Sequence, residues 1–360
     1  MRKDFKISNK KEKVFVAMSG GVDSSVAALL LFQNKEKYDV VGVYIKGYNL
    51  DGCSARDAED ARKTAAKIGI PFYVWDLEKE YKKLVVDYMI DGYRRGITPN
   101  PDVMCNKEIK FGLFLKKAIQ SGADSIATGH YVIIKKSKNS NGIIYKLFQA
   151  KDKNKDQSYF LWTLNQKQLS RCLFPIGEYT KPEIRKIAKR AGLPTADKKD
   201  SQGICFLGKI TLSDFLKKRL PQKQGLVFNA TGKIVGKHQG AYFYTVGQRH
   251  GLGIPSAKPY YITKKDVKNN IIRIDEADGL GGERREITVK NLNWIAEIPK
   301  LPVSVLARLR YRQPLVKARL VKKTGKYKLI FLRPQKFIAP GQSAVLYAKT
   351  GEMLGGGEIV

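Results

Sequence analysis

Cys105 lies in the stretch NPDVMCN (Asn100–Asn106), where proline and polar residues surround a thiol. A cysteine that only fills core space would more naturally sit inside an apolar run. Proline fixes its own φ and favours extended conformations in the residue before it, so Pro99 and Pro101 predict an exposed loop. An exposed thiol near the carboxylate of Asp102 could act as a nucleophile. An ordinary free cysteine in a turn is the alternative that this stretch leaves open.

A second isolated cysteine, Cys205, lies in the polar stretch SQGICF (Ser201–Phe206). The other two cysteines, Cys53 and Cys172, are widely separated, and no CxxC pair occurs. The chain has only 3 histidines, so a zinc site of the usual spacing is not predicted. In a reducing compartment such thiols are structural, catalytic or redox-sensing. We interpret Cys53 and Cys172 as structural.

The stretch SGGVDSS (Ser19–Ser25) directly follows an apolar strand pattern and opens a helical one. Its two glycines allow a tight turn and close approach to phosphates, while Ser19, Ser24 and the amides of the helix N-terminus can donate to them. It predicts a site for a nucleoside triphosphate. It does not match GxxxxGK[ST], which disfavours ordinary γ-phosphoryl transfer. A capped strand-to-helix turn without a ligand is the alternative.

The elements that must position these residues alternate between strand and helix from Val14 to about Gly129. This alternation predicts an α/β fold with a doubly wound parallel sheet, in which ligands bind beyond the carboxyl ends of the strands. After about Gly208 the sequence pattern changes, first to a helical segment, TLSDFLKKRL, and then to Gly-rich aromatic segments. From about Ile287 short strand patterns broken by turns predict a small β-barrel.

The composition is strongly basic, with 67 Lys and Arg against 33 Asp and Glu and a formal net charge of +34. This excess predicts a polyanionic partner. A lysine-rich solvated surface is the alternative, because many lysines lie in predicted loops such as KKSKNS (Lys135–Ser140). The N-terminal apolar run is too short for a signal-peptide core, and the longest apolar run, Val26–Phe32, cannot span a bilayer. We therefore predict a soluble, cytoplasmic protein with no membrane partner.

SGGVDSS resembles the signature of the PP-loop ATP pyrophosphatases, which split ATP between its α and β phosphates to adenylate a carbonyl-type oxygen. Further blocks make the chain similar to the tRNA-specific 2-thiouridylase family from Val14 to the C-terminal GGGEIV. These blocks are GITPNPDVMCNKEIKF, ATGHY, KDQSYFL, FPIGEYTKPEIRKIA, SQGICF and YTVGQRHGLG. The resemblance implies a PP-loop catalytic domain (adenine nucleotide α hydrolase-like) over residues 1–208, a central tRNA-binding domain over 209–284 and a C-terminal β-barrel over 285–360.

The resemblance also implies an activity, which is ATP-dependent 2-thiolation of the wobble uridine of tRNA with release of AMP and pyrophosphate. The C2 oxygen of uracil is a poor leaving group, and adenylation converts it to AMP so that sulfur can displace it. The implied cofactors are ATP and Mg²⁺. The implied partners are the anticodon stem-loop of tRNA, whose base must leave its stack, and a persulfide sulfur-donor protein.

Residue roles follow from the matching blocks. By resemblance, Cys205 carries the persulfide, Cys105 attacks it and leaves a Cys105–Cys205 disulfide, and Asp102 is the acid/base partner. Lys107 and Lys209 should favour the thiolate. The implied ATP contacts are Ala17, Met18, Ser19, Gly20, Gly21, Val22, Asp23, Ser24, Ile45 and Gly129, with Asp23 at the Mg²⁺-pyrophosphate end. The implied target-base loop is Asn100, Pro101 and Asp102, and the implied tRNA contacts are His130, Lys155, Asp156, Gln157, Arg310, Tyr311 and Gln342.

Simpler roles and rival functions remain open for several of these features. His130 could cap a strand end, and Arg310 with Tyr311 could form an exposed strand edge. Another PP-loop adenylating enzyme would use the same loop with a different acceptor, but the two isolated cysteines would then lack a role. A non-enzymatic RNA-binding protein would explain the charge and the barrel but would leave SGGVDSS without one. Release of pyrophosphate in the presence of tRNA distinguishes the three.

Overall fold

A parallel sheet organises the N-terminal half of the computed structural model, which describes residues 10–48, 50, 52–140, 142–199, 203, 206–208, 210–255, 258–276, 279 and 281–360. Its strands are β1 (Glu12–Ala17), β2 (Tyr38–Lys46), β3 (Phe72–Asp76), β4 (Ser125–Thr128) and β7 (Cys172–Leu173). They lie in the order β3-β2-β1-β4-β7, and every neighbouring pair is parallel. The predicted doubly wound sheet is confirmed.

The two faces of this sheet carry different cores because successive residues of a strand point to opposite sides. Val14 and Val16 of β1 belong to a cluster with the first helix, whereas Phe15 belongs to a second cluster with Phe111 and Phe114. Helices therefore cover both faces. The second cluster also contains barrel residues such as Val345, so the barrel packs directly against the N-terminal half.

The helices carry the alternation that the sequence predicts. The α-helices are α1 (Val22–Gln33), α2 (Cys53–Ile68), α3 (Glu78–Tyr81), α4 (Tyr88–Arg94), α5 (Pro101–Met104), α6 (Leu115–Gln120), α7 (Gln166–Leu169), α8 (Lys181–Arg190) and α9 (Leu212–Lys217). π-helical segments Lys82–Asp87 and Cys105–Phe114 join α3 to α4 and α5 to α6, so each trio forms one continuous helix. Short 3₁₀ turns lie at Ser158–Phe160 and Ala241–Phe243.

The middle of the chain forms a four-stranded sheet in the order β10-β11-β8-β9. Its strands are β8 (Gly225–Phe228), β9 (Ile234–His238), β10 (Tyr260–Asp266) and β11 (Ile271–Glu276). A small core of aliphatic residues, among them Val227, Ile262 and Ile272, is fully buried beneath it.

The C-terminal strands close into a barrel, as predicted. They are β12 (Arg284–Trp294), β13 (Val303–Arg308), β14 (Val316–Lys323), β15 (Lys326–Gln335), β16 (Ser343–Tyr347) and β17 (Glu352–Ile359). They follow the order β12-β15-β14-β13-β16-β17, and an additional pairing of β12 with β17 closes the ring. Closure leaves no free edge between the first and last strands.

A hairpin from the N-terminal half extends the barrel sheet, and it corrects one prediction. Strands β5 (Val132–Asn139) and β6 (Gly142–Gln149) pair with each other, and Leu147 and Phe148 of β6 pair with β17. The predicted loop at Lys135–Ser140 is therefore wrong, since it is strand as far as Asn139. Pairing with β6 satisfies its backbone groups, while Lys135 covers the ring of Phe148 at 5.1 Å from its centroid.

Over the residues that the structure describes, no helix is both long and apolar enough to cross a membrane. The cytoplasmic location remains a prediction.

Candidate active site

The predicted phosphate-binding loop joins β1 to α1 at the carboxyl edge of the parallel sheet. Gly20 adopts a φ of +72°, and a Cβ there would collide with the backbone carbonyl of Asp57 in α2. The Ser24 hydroxyl accepts a hydrogen bond from the Ser19 amide (3.0 Å) and lies 3.2 Å from the Ser19 hydroxyl. Only glycine fits the turn, and the hydroxyls and free amides of the first turn of α1 face the same space. The arrangement suits a chain of phosphates.

Asp23 in the first turn of α1 is one half of an ion pair. Lys181 Nζ lies 2.7 Å and 2.9 Å from its two carboxylate oxygens, and the Tyr131 hydroxyl donates to Oδ1 at 2.7 Å. The Lys181 side chain is 10% exposed and that of Asp23 is 32% exposed. The partly open carboxylate is thus the accessible side of a charged pair at the phosphate loop.

The other predicted ATP contacts lie at the same sheet edge. Gly129 follows β4, and a Cβ there would lie 2.6 Å from the Ser24 amide nitrogen, so glycine lets this loop close over the first turn of α1. Ala17 ends β1, and Ile45 lies near the end of the neighbouring strand β2. The side chains of Met18 and Val22 are buried in the core. These two residues can contribute to nucleotide binding only through their backbone.

His130 is buried rather than displayed. Its Nδ1 lies 2.8 Å from the Thr128 hydroxyl, and its ring packs against Phe111 and Phe174. Desolvation by burial, with a smaller contribution from the charge of Lys110, lowers the pKa of His130 well below its usual range. The imidazole is therefore neutral, and the structure places it as a core group beside the loop after Gly129.

The cysteine stretch is the start of a helix, which corrects the predicted exposed loop. The Asn100 side chain accepts a hydrogen bond from the Val103 amide at 3.2 Å, and Pro101 occupies the first turn of α5. Both are helix-start signals. The side-chain oxygen of Asn100 accepts from a backbone amide that has no partner within the helix, and proline in the first turn lacks an amide hydrogen that would have no such partner either. The helix therefore begins at Pro101 and includes the cysteine stretch. Cys105 is buried at 5% exposure.

Cys105 begins the π-helical segment that ends at Phe114. The wider turn brings the backbone of Gly112 against the Lys107 carbonyl, where a Cβ would lie 2.8 Å away. Such segments are rare and frequently lie at functional sites. The Lys107 ammonium, expected to favour the thiolate, lies 3.0 Å from Glu108, so its charge is shared with a neighbouring carboxylate.

The surroundings of Cys105 reach the segment that carries the other candidate cysteine. Cys105 belongs to a buried cluster with Met89 and Ile109 and also with Phe206 and Leu207. Phe206 packs edge-on to Tyr81 at 5.9 Å between ring centroids. Cys205 itself and Lys209 lie outside the described residues. The structure therefore brings Phe206, the residue that follows Cys205 in the chain, into the Cys105 cluster.

Gln342 of the barrel holds the backbone that leads to the predicted target-base loop. Its side-chain amide donates to the carbonyls of Thr98 (2.9 Å) and Pro99 (3.2 Å). Arg310, which follows β13, is exposed, and its charge acts on both Tyr93 and Tyr159. Tyr159 in turn has a hydrogen bond with the side chain of Asn100. Gln342 and Arg310 are thus brought close to the base loop.

Asp156 is the centre of a buried ion pair between the N-terminal half and the barrel. Arg308 donates to its Oδ2 at 2.9 Å, with side-chain exposures of 9% and 0%. The amides of Ala150 and Ser158 donate to Oδ1, each at 3.2 Å. A carboxylate so placed is fully engaged within the protein. The sequence predicted a tRNA contact here, whereas the geometry is that of an anchor between domains.

The remaining predicted tRNA contacts surround this anchor. Gln157 pairs with the Tyr131 backbone, accepting from its amide at 3.0 Å. Lys155 is half-buried, and its charge acts on Tyr311. Tyr311 packs on Phe160 with ring centroids 4.4 Å apart. The structure thus brings Lys155, Gln157 and Tyr311 to one junction between the N-terminal half and the barrel.

Comparison with known proteins covers nearly all of the chain. The profile described as "tRNA methyl transferase HUP domain" matches residues 12–209, "tRNA methyl transferase PRC-barrel domain" matches 213–276, and "Aminomethyltransferase beta-barrel domain" matches 284–359. The "tRNA-specific 2-thiouridylase MnmA" of Alkaliphilus oremlandii is 46% identical over 349 residues, which cover 94% of each chain. That of Geobacillus thermodenitrificans is 43% identical over 96% of this chain and 94% of the relative. The chain belongs to the tRNA-specific 2-thiouridylase family.

In this member of the 2-thiouridylase family, three residues that contact predicted site residues were not themselves predicted from the sequence. Lys181 pairs with Asp23, Arg308 pairs with Asp156, and Asn106 donates to the Asp102 carbonyl at 3.0 Å. Asn106 is buried beside Cys105, and its Oδ1 has no hydrogen-bond partner among the described residues. Only Lys181 left a signal, because a lysine in the first turn of α8 opposes the helix dipole and therefore needs another reason to be there.

Cys172 of this 2-thiouridylase family member has no contact with the site described so far. Cys172 is buried in β7 and its thiol donates to the Gln168 carbonyl at 3.0 Å. Burial raises the pKa of Cys172, which keeps it in the unreactive thiol form. The geometry agrees with a structural role. The side chain of Cys53 lies outside the described part of the structure.

Proposed function

We propose that the protein catalyses ATP-dependent 2-thiolation of the wobble uridine of tRNA. The observation that carries the proposal is the joint presence, in a chain of this family, of a phosphate-binding loop and a buried thiol on the same parallel sheet. The loop leads into α1, whose first turn contains Asp23, whereas Cys105 opens the helical segment that packs on the opposite face. A phosphate site and a thiol are what adenylation followed by sulfur transfer requires.

The nucleotide end of the proposed site is built around α1. ATP would lie with its phosphates on the loop Ser19–Gly21 and the amides of the first turn, and with its adenosine toward Ile45 and Gly129. Mg²⁺ prefers one or two carboxylates together with phosphate oxygens, and the partly exposed carboxylate of Asp23 in the first turn of α1 fits that preference. The ion, when bound, neutralises charge on the departing pyrophosphate. Lys181 would supply a second positive charge there.

Adenylation precedes sulfur transfer in the proposed reaction. The C2 oxygen of uridine attacks the α-phosphorus of ATP, and pyrophosphate leaves. The terminal sulfur of the Cys205 persulfide then attacks C2, and AMP leaves with the former oxygen. Asp102 would act as the acid/base group for these proton transfers.

Resolution of the sulfur bond would use the buried thiol. The Cys105 thiolate attacks the Cys205 sulfur, the bond to the transferred sulfur breaks, and the products are 2-thiouridine and a Cys105–Cys205 disulfide. A reductant must reopen that disulfide before the next turnover. Because Cys105 is buried, the sulfur that it attacks has to be held by the protein, and the Cys205 persulfide would meet that requirement. The donor that loads Cys205 would be a persulfide-bearing protein.

The substrate would be bound by more than one part of the chain. We propose domain boundaries at 1–208, 209–284 and 285–360, with the central part contacting tRNA. Arg310, exposed beside the base loop, and Lys155 are the predicted contacts best placed for phosphate. His130, Asp156 and Gln342 would contribute by holding protein segments in position. The target uridine would leave its stack to reach Asn100–Asp102, which costs least in an anticodon loop.

The test is a reaction of the purified chain with ATP, an in vitro transcribed tRNA and a persulfide donor. We expect pyrophosphate release that depends on tRNA, and mass spectrometry of the digested tRNA should find oxygen exchanged for sulfur in the wobble uridine. The control is the same transcript with cytidine at the wobble position, which should release no pyrophosphate.

Other outcomes identify the rivals. Addition of a methyl group instead of sulfur gives a different mass and would support the methyltransferase wording of the matched profiles. Pyrophosphate release with an acceptor other than uridine would indicate another PP-loop adenylating enzyme. Tight tRNA binding with no pyrophosphate release at any persulfide concentration would leave only an RNA-binding function.

A further inference from the structure

The residues that lead into the proposed base loop, Gly96–Pro99, are held by two other parts of the chain. We name Gly96–Pro99 the approach segment. It connects the end of α4 to Asn100, the residue that caps the helix of Asp102 and Cys105. Near its start, the Ile97 amide donates a hydrogen bond to the Gly92 carbonyl at 3.1 Å. Any displacement of this segment moves the base loop directly.

The middle domain contacts the approach segment along one side. Gly96 has a φ of +79°, and a Cβ there would lie 2.6 Å from Val267 Cγ2. The Thr98 hydroxyl lies 3.4 Å from that of Thr245, which also has a hydrogen bond with Tyr93 at the end of α4. The segment therefore packs on the middle domain without room for even one added methyl group at Gly96.

Lys265 fixes this part of the middle domain. Its ammonium donates to the Tyr244 carbonyl at 2.7 Å and lies 5.9 Å from the centroid of the Tyr93 ring. Desolvation lowers the pKa of Lys265 to about 8, as expected for an ammonium with little solvent. Among the described residues, neither of these contacts brings a negative charge to the Lys265 ammonium. Holding the Tyr244–Thr245 backbone against Tyr93 is what this costly placement achieves.

The barrel contacts the approach segment from the other side. The Thr98 amide donates to the Pro340 carbonyl at 2.8 Å, and the Gln342 side chain donates to the Thr98 and Pro99 carbonyls. A Cβ on Gly341 would lie 3.0 Å from Ile97 Cβ. Both polar groups of the Thr98 backbone are thus satisfied by the barrel. The amide of Gln342 is engaged with protein rather than facing RNA.

We propose that Lys265 and Gln342 are positioning residues that fix the base loop from opposite sides through the approach segment. The proposal rests on the proposed function, because it gives the two RNA-facing domains a direct influence on where the target uridine is presented. Neither residue need touch the reacting atoms. Their contribution would appear in the rate of thiolation after tRNA has bound.

Hydrogen exchange of the free protein tests the contacts without reference to activity. Lys265→Met and Gln342→Met each remove one donor while retaining the length of the side chain. We expect the amides of Ile97, Thr98, Val103 and Met104 to exchange on the order of tenfold faster in each variant, the effect of losing about one hydrogen bond. In the double variant the increase in exchange rate should be smaller than the product of the two single increases, because both residues act on one segment. Lys265→Arg, which keeps a donor, should restore protection.

Two variants serve as matched controls. Lys264 is the exposed neighbour of Lys265 on β10, and Lys264→Met removes the same charge. Gln335 donates to the nearby carbonyls of Arg333 and Pro334, away from the approach segment, so Gln335→Met removes the same kind of bond. Both should leave exchange at residues 97–104 unchanged.

Single-turnover kinetics connect the contacts to function. Lys265→Met and Gln342→Met should slow thiolation at saturating tRNA by about tenfold, with tRNA affinity unchanged. Unchanged exchange in both variants overturns the proposal, as does faster exchange with a wild-type thiolation rate. Weaker tRNA binding with a normal rate would make the two residues RNA contacts instead. A wild-type chain that leaves tRNA unmodified refutes the proposed function. Faster exchange in the two variants would still establish in that case that Lys265 and Gln342 hold the approach segment.

Discussion

The pairing of Asp23 with Lys181 gives the phosphate loop a charge balance that neither residue has alone. The carboxylate is partly exposed while the ammonium is buried, so the pair presents its acidic side to the space in front of α1. A triphosphate bound in that space would lie near a carboxylate whose repulsion is already offset by the Lys181 ammonium. In the proposed site, the pair would allow a single acidic residue to lie among phosphates without excluding them.

The first prediction concerns this pair. Lys181→Met leaves the Asp23 carboxylate uncompensated, and we expect tRNA-dependent pyrophosphate release to fall tenfold to a hundredfold, equivalent to about 1.5–3 kcal/mol for a charge-assisted hydrogen bond. Asp23→Ala should abolish release, and tRNA binding should be largely retained in both variants. Lys186→Met, an exposed lysine on the same helix, is the control. Normal release by the Lys181→Met or the Asp23→Ala variant would show that the pair is not part of the nucleotide site.

The second prediction concerns His130, whose folded-state pKa lies below the unfolded value of 6.5. The unfolded chain therefore binds a proton more readily, and the stability that the neutral ring contributes is present above pH 6.5 and is lost as pH falls below it. His130→Phe should flatten this acid dependence, by up to about 1.4 kcal/mol per pH unit. Urea unfolding at neutral and mildly acidic pH measures it. Equal pH dependence in both proteins would contradict a buried, neutral His130.

At the scale of elements, the helix that begins at Pro101 changes the meaning of the cysteine stretch. Asn100 and Pro101 start the helix, and the π-helical segment from Cys105 to Phe114 widens it next to the proposed chemistry. The Cys105 thiol therefore lies on a packed helix and not on a loop. The segment after Cys205 packs into the same cluster through Phe206 and Leu207. A thiol fixed on a helix, with Cys205 on a separate segment, would suit the proposed disulfide cycle.

The third prediction follows from these two elements. After a single turnover without reductant, peptide mapping should find a Cys105–Cys205 cross-link, since a disulfide needs Cα atoms within roughly 7 Å and both segments share one cluster. Cys205→Ser should prevent the protein from carrying sulfur. Cys105→Ser should still load sulfur but stop multiple turnover. Cys172→Ser, at a buried structural thiol, is the control. Thiolated tRNA formed while both thiols stay free would refute the cycle.

At the scale of the whole molecule, the barrel and the N-terminal half form one packed body. They share the core cluster that contains Phe111 and Val345, the β6–β17 pairing and the Asp156–Arg308 ion pair. The base loop is therefore positioned by residues that lie far apart in the chain. Asp156 is part of this junction through its ion pair with Arg308, and its tRNA contact stays a prediction.

The fourth prediction separates these two roles for Asp156. Arg308→Met leaves its buried carboxylate unpaired and should lower the free energy of unfolding by about 3–5 kcal/mol. Adding Asp156→Asn should restore part of that loss, because the amide oxygen can still accept from the Ala150 and Ser158 amides. Lys290→Met, which breaks the exposed pair with Glu358, should change stability by less than about 1 kcal/mol. Wild-type stability of Arg308→Met, with weaker tRNA binding, would favour the RNA contact.

The fifth prediction concerns the +34 charge. Lysines and arginines that neutralise phosphates release counterions, so tRNA affinity should fall on the order of 10³-fold or more between about 50 and 200 mM salt if about six contacts form. Filter binding across a salt series gives the slope. Arg310→Ala should reduce that slope by about one contact, while Lys186→Ala, on α8, serves as the control. An affinity nearly independent of salt would contradict an electrostatic interface.

The sequence alone determined the features that depend on neighbouring residues. The alternation of strands and helices up to Gly129, the turn at Gly20 and the closing barrel follow from periodicity and from glycine placement, which act over a few residues. The Asn100-Pro101 helix start is equally local, and there the capping side chain of Asn100 decides the structure over the extended preference of residues before proline. The exposure of Cys105 was therefore predicted wrongly.

Tertiary structure decided the contacts between distant residues. Lys181 and Asp23 are 158 residues apart, Arg308 and Asp156 are 152 apart, and Gln342 and Thr98 are 244 apart. No local pattern records such pairs, because the energy of a charge or an amide depends on the partner that folding brings to it and on the solvent that folding removes. For the same reason the strand character of Lys135–Asn139 became evident only with β6 beside it. The sequence determined which chemical groups this protein has, and the packing of its domains determined which of them face one another.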